Sequence, residues 1–284
     1  MSDPTWMGEP APEARPPGPA GWVRVVLRGG LLGGAILLGL GAKALVRLVE
    51  RPLHGEDRPW SPWITQAVSR AAFGILGIGL HVKGPPMTGA GAVVANHTSW
   101  LDIFALNARK NVYFVSKAEV ARWPFIGWMA RATGTLFISR DPRDAARQKR
   151  LFEERLLHGH RLLFFPEGTS TDGLQVLPFK STLFAALFEP RLRHLAQVQA
   201  VSVIYRAPPG ADPRFYGWWG DMGFGPHLLQ VLAAPRQGTV ELIYHAPVRV
   251  DDFPNRKSLA RHVEEQVRRG HAPRRVQSRL DRRV

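Results

Sequence analysis

Two short stretches of this 284-residue chain carry groups able to move a proton. Asn96-His97-Thr98-Ser99-Trp100-Leu101-Asp102 sets an imidazole and a carboxylate five positions apart. Phe165-Pro166-Glu167-Gly168-Thr169-Ser170 adds a second carboxylate beside a glycine and two hydroxyls. An imidazole takes a proton from an alcohol near neutral pH when a partner fixes its tautomer and stabilises the cation that forms. Asp102 is the candidate partner. Residues five apart do not share one helix face, so the pairing requires His97 in a loop and Asp102 in a first helical turn, reaching back. Val93-Val94-Ala95 reads as the end of a buried strand, and Thr98 or Ser99 is placed to cap the helix that carries Leu101 to Leu106. By itself a His and an Asp at this spacing are a weak signal, because structural hydrogen bonds produce such pairs often.

Other groups suit an anionic ligand. Arg140 closes the apolar run Thr135 to Ile138, at the mouth of a strand, and a guanidinium meets phosphate or carboxylate with two parallel hydrogen bonds. An arginine in such a place, taken alone, is more often simply solvated. Gly168 allows a backbone to approach a ligand where a side chain would clash. Glu167 is positioned either to accept from a substrate hydroxyl or to hold Arg140.

In order and spacing, His97-x4-Asp102 after an apolar strand, then Gly134-Thr135-Leu136-Phe137-Ile138-Ser139-Arg140, then Phe165 to Ser170 resemble the glycerolipid acyltransferase family, typified by bacterial 1-acylglycerol-3-phosphate acyltransferases. The resemblance covers roughly Ile78 to Val250, and its first and third motifs are specific when found together. It implies an α/β fold, a layered sheet with flanking helices, preceded by an N-terminal helical membrane anchor. It also implies acyl transfer to the free hydroxyl of a lysolipid, with His97 as base and Asp102 orienting it. The second and third blocks bind glycerol phosphate in that family, which points to Arg140, Glu167, Gly168 and Thr169. Lys117 and Lys180 fall where relatives carry lysine. One departure is Ala200, in Val198 to Val203, where relatives usually have proline; it bears on substrate identity more than on chemistry.

What the resemblance implies about partners follows the same line. No metal and no bound cofactor is expected, acyl-ACP or acyl-CoA being a co-substrate. The acceptor ranked first is lysophosphatidic acid, giving phosphatidic acid. Lyso-ornithine lipid is the alternative, because Phe215-Tyr216-Gly217-Trp218-Trp219-Gly220-Asp221-Met222-Gly223-Phe224-Gly225-Pro226-His227 looks like a segment of relatives that acylate it; the plainer reading is a surface loop with buried aromatics. The implied location is the bacterial inner membrane, with the site on its cytoplasmic side. A third reading, from another class, is a non-catalytic basic protein that binds membrane or nucleic acid. The intact His97, Asp102 and Glu167 argue against it, and the basic-aromatic interleaving of an RNA-binding surface is missing.

Composition narrows the alternatives. With no cysteine there is no thiolate metal site and no acyl-cysteine intermediate. A formal charge of +15 implies an anionic partner: nucleic acid, lipid headgroups or an acidic protein. Trp22, Trp60 and Trp63 flank apolar segments, as amphipathic rings do at a headgroup layer, which favours anionic lipid over nucleic acid. There is no Gly-x-Ser-x-Gly elbow, Walker loop or His-Glu-x-x-His pair, so serine-hydrolase, nucleotide and zincin chemistries lack their anchors.

Four regions are expected. Residues 1 to 20 are proline-rich and poor in apolar groups, which predicts disorder. Residues 21 to 80 hold two anchoring helices. The first carries an uncharged run from Gly29 to Ala42, shorter than the ~20 residues of a simple span, with Arg24, Arg28, Lys43 and Arg47 placed to snorkel. Gly30-x3-Gly34 within it suits close helix packing. The second opens at Ser61-Pro62. Residues 81 to 253 alternate apolar strand runs with helical patterns, as an α/β layered fold does. Residues 254 to 284 read as a basic C-terminal tail, helical in part and solvated or touching anionic lipid.

Overall fold

The computed structural model describes residues 5–12, 16–55, 57–123, 126–139 and 141–272. Two helices lead the chain, α1 (Pro19–His54) and α2 (Ser61–Leu76). Then β1 (Gly79–Lys83), β2 (Gly91–Ala95), α3 (Asp102–Arg109), β3 (Tyr113–Lys117), α4 (Ile126–Thr133), β4 (Leu136–Ile138), α5 (Ala145–Leu157) and β5 (Arg161–Phe164) alternate. After a 3-10 turn at Ser181–Phe188 come α6 (Pro190–Arg193), β6 (Gln197–Arg206), α7 (Phe224–Ala233), β7 (Thr239–Tyr244), β8 (Val248–Arg249) and α8 (Arg256–His271). The sheet runs β1-β7-β6-β2-β5-β3-β4, with β8 on β6. From β6 to β4 neighbours are parallel; β7 is antiparallel to β6 and parallel to β1.

Strand β2 sits at the centre and is buried along its whole length, which is why it reads as a continuous apolar run. Its alternate residues feed two cores. Val93 and Ala95 pack with Leu101, Leu106, Val201 and Val203 under α2, α3 and α7. Ala92 and Val94 pack with Leu162, Phe164, Val198, Ala200, Leu259 and Val263 on the other face. Because β2, β3 and β5 are parallel, the loops that follow them open on one edge of the sheet, where open α/β sheets present their sites.

Helix α8 corrects the expected tail. Leu259, Val263 and Val267, one residue per turn, are fully buried against the sheet. A stripe of three is narrow, yet each buried aliphatic contributes about 1.5–3 kcal/mol relative to exposure. Asn255 caps the helix, its side chain accepting from Lys257 N–H at 2.9 Å and Ser258 N–H at 3.1 Å. No boundary therefore separates 254–271 from the layered domain; residues 273–284 lie outside the described set.

The N-terminus differs from expectation as well. Thr5 to Pro12 have defined places against the domain, because Trp6 supplies an aromatic surface that counting prolines overlooks: its ring lies 6.2 Å from Trp219. Residues 1–4 and 13–15 of the predicted disordered tail lie outside the described set. Helix α1 is a single 36-residue helix, the one described helix long and apolar enough to cross a membrane. It nevertheless lies along the domain. Gly39 is its point of closest approach, where a Cβ would meet Val68 of α2 at 2.3 Å, while Gly30 and Gly34 face open space. The cations expected to snorkel are engaged within the chain. Arg24 Nε donates to the Ala233 carbonyl at 2.7 Å, Arg28 to those of Leu232 and Ala234, and Lys43 to Thr65 Oγ1 at 2.8 Å. Glu50, fully buried, accepts from Trp60 and Ser61 N–H at 2.7 and 2.9 Å and so caps α2 from α1. The opposite face of α1 stays apolar and exposed, with Leu31, Leu38 and Leu45 at 62–77%.

Candidate active site

His97 follows β2 and Asp102 opens α3, as the spacing requires. Asp102 Oδ2 lies 2.7 Å from His97 Nδ1 and also accepts from the backbone N–H of Thr98 at 2.8 Å and Ser99 at 3.1 Å. The capping relation is the reverse of the predicted one: the helix carboxylate reaches back to the loop, while the Thr98 and Ser99 hydroxyls are buried without a partner. Since Oδ2 already accepts from two N–H groups, the proton between the side chains belongs to Nδ1, which leaves Nε2 as the basic nitrogen. Asp102 is fully buried; the His97 ring is 22% exposed and stacks on Phe165 at 4.0 Å, 9° from parallel. A base with a fixed tautomer, a buried counter-charge and one open face is suited to deprotonating a bound hydroxyl.

The third block closes on the first. Glu167 Oε1 accepts from His97 N–H at 2.7 Å and Oε2 from Leu177 N–H at 2.8 Å. Its carboxylate is buried, so it braces the main chain of His97 instead of facing a substrate hydroxyl as the sequence suggested. Burial, aided by the Asp102 charge and opposed by the two N–H donors, raises its pKa to about 8. Thr171 N–H donates to the His97 carbonyl at 3.0 Å, a second tie between the loops. Gly168 has φ +74°, the left-handed region that favours glycine, and a Cβ there would meet Lys180 Nζ at 2.6 Å. The ammonium of Lys180 thus lies over the Pro-Glu-Gly turn. Thr169 Oγ1 accepts from Trp6 N–H at 3.4 Å. Lys117 ends β3 on the same edge of the sheet. Arg140 lies outside the described residues.

Three contacts with no signal in the motifs hold the His97 loop and the third block's loop from behind. Trp218 N–H donates to the Thr98 carbonyl at 2.9 Å. Trp100 Nε1 donates to His227 Nδ1 at 2.9 Å, and burial holds His227 at a pKa of about 4. Glu264 of α8 accepts from Phe179 N–H at 2.8 Å and so pins the third block's loop. The segment from Phe215 to His227 is a loop with buried aromatics, as its plainer reading had it, Tyr216 and Trp219 being core; in addition its backbone grips the His97 loop. Its aromatic density gave no hint of that backbone contact in the sequence.

Residues 82–206 match the Acyltransferase family model. Across 95% of this chain and 98% of the relative, the sequence is 58% identical to a lyso-ornithine lipid O-acyltransferase of Rhodobacter capsulatus. It is 35% identical to a 1-acyl-sn-glycerol-3-phosphate acyltransferase of Neisseria gonorrhoeae, over 71% of this chain and 78% of that one. The crystal structure of the 1-acyl-sn-glycerophosphate acyltransferase of Thermotoga maritima superposes with a TM-score of 0.63 over 90% of this chain and 98% of that chain, at 21% identity, which shows a common fold. With a relative this similar over nearly its whole length, the chain belongs to the glycerolipid acyltransferase family.

Proposed function

We propose that this acyltransferase makes ornithine lipid, moving a fatty acyl group from a thioester to the free hydroxyl of lyso-ornithine lipid. The observation that carries this reading is the 58% identity, nearly end to end, to a relative with that activity in its name; the glycerol-phosphate relative reaches 35% over a shorter stretch. The motifs alone ranked the two acceptors the other way, because the blocks that define the family do the same chemistry on both. Phosphatidic-acid synthesis becomes the second reading.

His97 Nε2 removes the hydroxyl proton as the oxygen attacks the thioester carbonyl. Asp102 stabilises the imidazolium while the tetrahedral intermediate lasts. As the intermediate collapses, the C–S bond breaks and the thiolate of acyl-ACP or CoA takes the proton back from Nε2, so base and proton are restored within one turnover. The zwitterionic acceptor carries one carboxylate, so a single cation among Arg140, Lys117 and Lys180 meets its anionic charge. Gly168 and Thr169 line the turn below Lys180. The exposed apolar face of α1 enters the cytoplasmic leaflet of the inner membrane, with Trp22, Trp60 and Trp63, each 47–59% exposed, at headgroup level.

The test is to incubate the purified enzyme in lipid vesicles with acyl-ACP or acyl-CoA and either lyso-ornithine lipid or lysophosphatidic acid, identifying products by mass. Ornithine lipid as the dominant product supports the reading. Phosphatidic acid alone overturns it.

A further inference from the structure

The two carboxylate oxygens of Asp102 are unequally served. Oδ2 takes His97 Nδ1 and the N–H groups of Thr98 and Ser99, whereas Oδ1 is buried with no hydrogen-bond partner among the described residues. Buried carboxylate oxygens are normally hydrogen-bonded, because an unpaired one loses the solvation it had in water. A donor for Oδ1 is what the dyad still requires.

Strand β6 delivers one. It runs parallel to β2 with Ala95 opposite Val201, and the Asn96 side chain extends the pairing. Its Nδ2 donates to the Val203 carbonyl and its Oδ1 accepts from Val203 N–H, each at 2.8 Å. Alternate residues of a strand share a face, so Tyr205, two positions beyond this clamp, follows Val201 and Val203 into the core that contains Leu101. That places it beside the turn from His97 to Asp102. The Tyr205 hydroxyl is buried and, like Oδ1, makes no aligned hydrogen bond among the described residues, yet it stands close enough to the Asp102 carboxylate for the two to interact. Burial, together with that carboxylate's charge, pushes the phenol well above its ordinary range, so it keeps its proton to donate. The neighbouring phenol is already committed. Tyr216, its ring 5.4 Å from that of Tyr205, donates to Gln237 Oε1 at 2.8 Å and accepts from Gly238 N–H at 2.7 Å.

We propose that Tyr205 is a positioning residue behind the base: a small side-chain rotation brings its hydroxyl proton onto Asp102 Oδ1, making a hydrogen-bonded chain from Tyr205 through Asp102 to His97. This rests on the general-base reading of His97 and holds whichever lysolipid is the acceptor. Tyr205 touches no reacting atom. By sharing the carboxylate's charge it moderates the pull of Asp102 on the imidazolium, and so acts on how readily Nε2 returns its proton to the departing thiolate.

The experiment measures kcat and acceptor KM against pH for the full-length enzyme, its Tyr205→Phe and Asp102→Asn variants, and the double variant. Tyr205→Phe removes the hydroxyl and keeps the ring against Tyr216. The acid limb of its kcat profile is expected to move up by about half a pH unit, roughly a threefold loss of kcat at the acid end, with acceptor KM unchanged. A carboxylate deprived of one donor holds the imidazolium more tightly, so the base stays protonated to higher pH. In the Asp102→Asn background there is no carboxylate charge to share, and the same change should leave the profile where it was. Glu167, the other titratable group beside Asp102, is common to all four proteins and cancels from the comparison. An unmoved limb in Tyr205→Phe overturns the proposal and leaves Oδ1 to the hydroxyls of Thr98 or Ser99. Equal shifts in both backgrounds overturn it as well, since the hydroxyl then acts without Asp102. Full activity in His97→Ala sinks the general-base reading instead, and is seen before Tyr205 is tested.

Discussion

Glu167 holds His97 by its backbone: the carboxylate of the third motif accepts the N–H of the base in the first, at 2.7 Å, and its other oxygen holds Leu177 N–H. The two motifs, seventy positions apart, are thereby one mechanical unit. Glu167→Gln presents an NH2 group to one of these two donors. Leaving a buried N–H unpaired costs about 1–3 kcal/mol. The variant is expected to unfold at lower denaturant and to lose at least tenfold in kcat, with little change in acceptor KM. A large rise in KM with kcat preserved would return Glu167 to direct substrate binding.

The same residue gives the enzyme a pH signature. Its pKa in the fold, raised to about 8 from an ordinary 4.5, means that the folded state favours the protonated carboxyl. Its contribution to stability is thus fully present below pH 4.5 and is lost as pH rises through 8. Denaturation midpoints measured from pH 5 to pH 9 should fall over this window in the unsubstituted protein. The Glu167→Gln protein should show a flatter profile, and equal slopes in the two proteins would remove Glu167 as the cause.

The centre of the site was legible in the sequence because its chemistry is local. His97, Asp102 and the strand before them are set by a run of about ten residues, and the unbroken apolar run of β2 follows from burial on both faces. What stayed hidden depends on partners distant in the chain. Glu167 looks like a ligand-binding carboxylate until Leu177 and His97 are seen to occupy it. The Leu259-Val263-Val267 stripe looks too thin to bury until β6 offers a surface that fits it. Nothing near Trp6 announces that Trp219, more than two hundred positions away, completes its packing.

His97→Ala should lose a factor of about 10² to 10⁴ in kcat and remain folded, since a general base acts only in the reaction. Asp102→Asn should cost less. The amide oxygen can take the place of Oδ2 toward Thr98 and Ser99, so the loop persists and only the counter-charge disappears. Single-turnover rates with saturating thioester, checked against thermal melts, separate the two effects. Turnover near the unsubstituted level in His97→Ala would end the general-base mechanism.

Membrane attachment should reside in a stripe on α1 and not in its charges. Leu31, Leu38 and Leu45 are spaced by seven and each is more than 60% exposed. Replacing all three by glutamine removes three side chains that each contribute about 1.5–3 kcal/mol on leaving water, and touches none of the contacts that dock the helix. Vesicle flotation should show most of the protein released and its melting temperature nearly unchanged. Truncation of the whole helix is a poorer test, because it also deletes Glu50, which caps α2. Full flotation of the triple variant would move the anchoring role to α2 and its exposed Trp63.

The segment from Phe215 to His227 should support the His97 loop chiefly through the hydrogen bond from Trp100 Nε1 to His227 Nδ1 at 2.9 Å. With Nδ1 accepting, the ring proton sits on Nε2, which faces the Phe215 carbonyl at 3.3 Å. Burial holds the pKa at about 4, so this imidazole is neutral throughout the working range and contributes no titration of its own near pH 7. Its role is therefore geometric and can be separated from charge. His227→Gln keeps an oxygen able to accept from Trp100, whereas His227→Phe leaves the indole N–H buried and unpaired, again at about 1–3 kcal/mol. The expected order of kcat is unsubstituted, then Gln, then Phe, with Phe lower by tenfold or more and acceptor KM little altered, because the loop carrying His97 is displaced and the headgroup contacts are not. If Phe and Gln are equally active, the Trp100 bond is dispensable and, of this segment's contacts, Trp218 N–H on the Thr98 carbonyl carries the support.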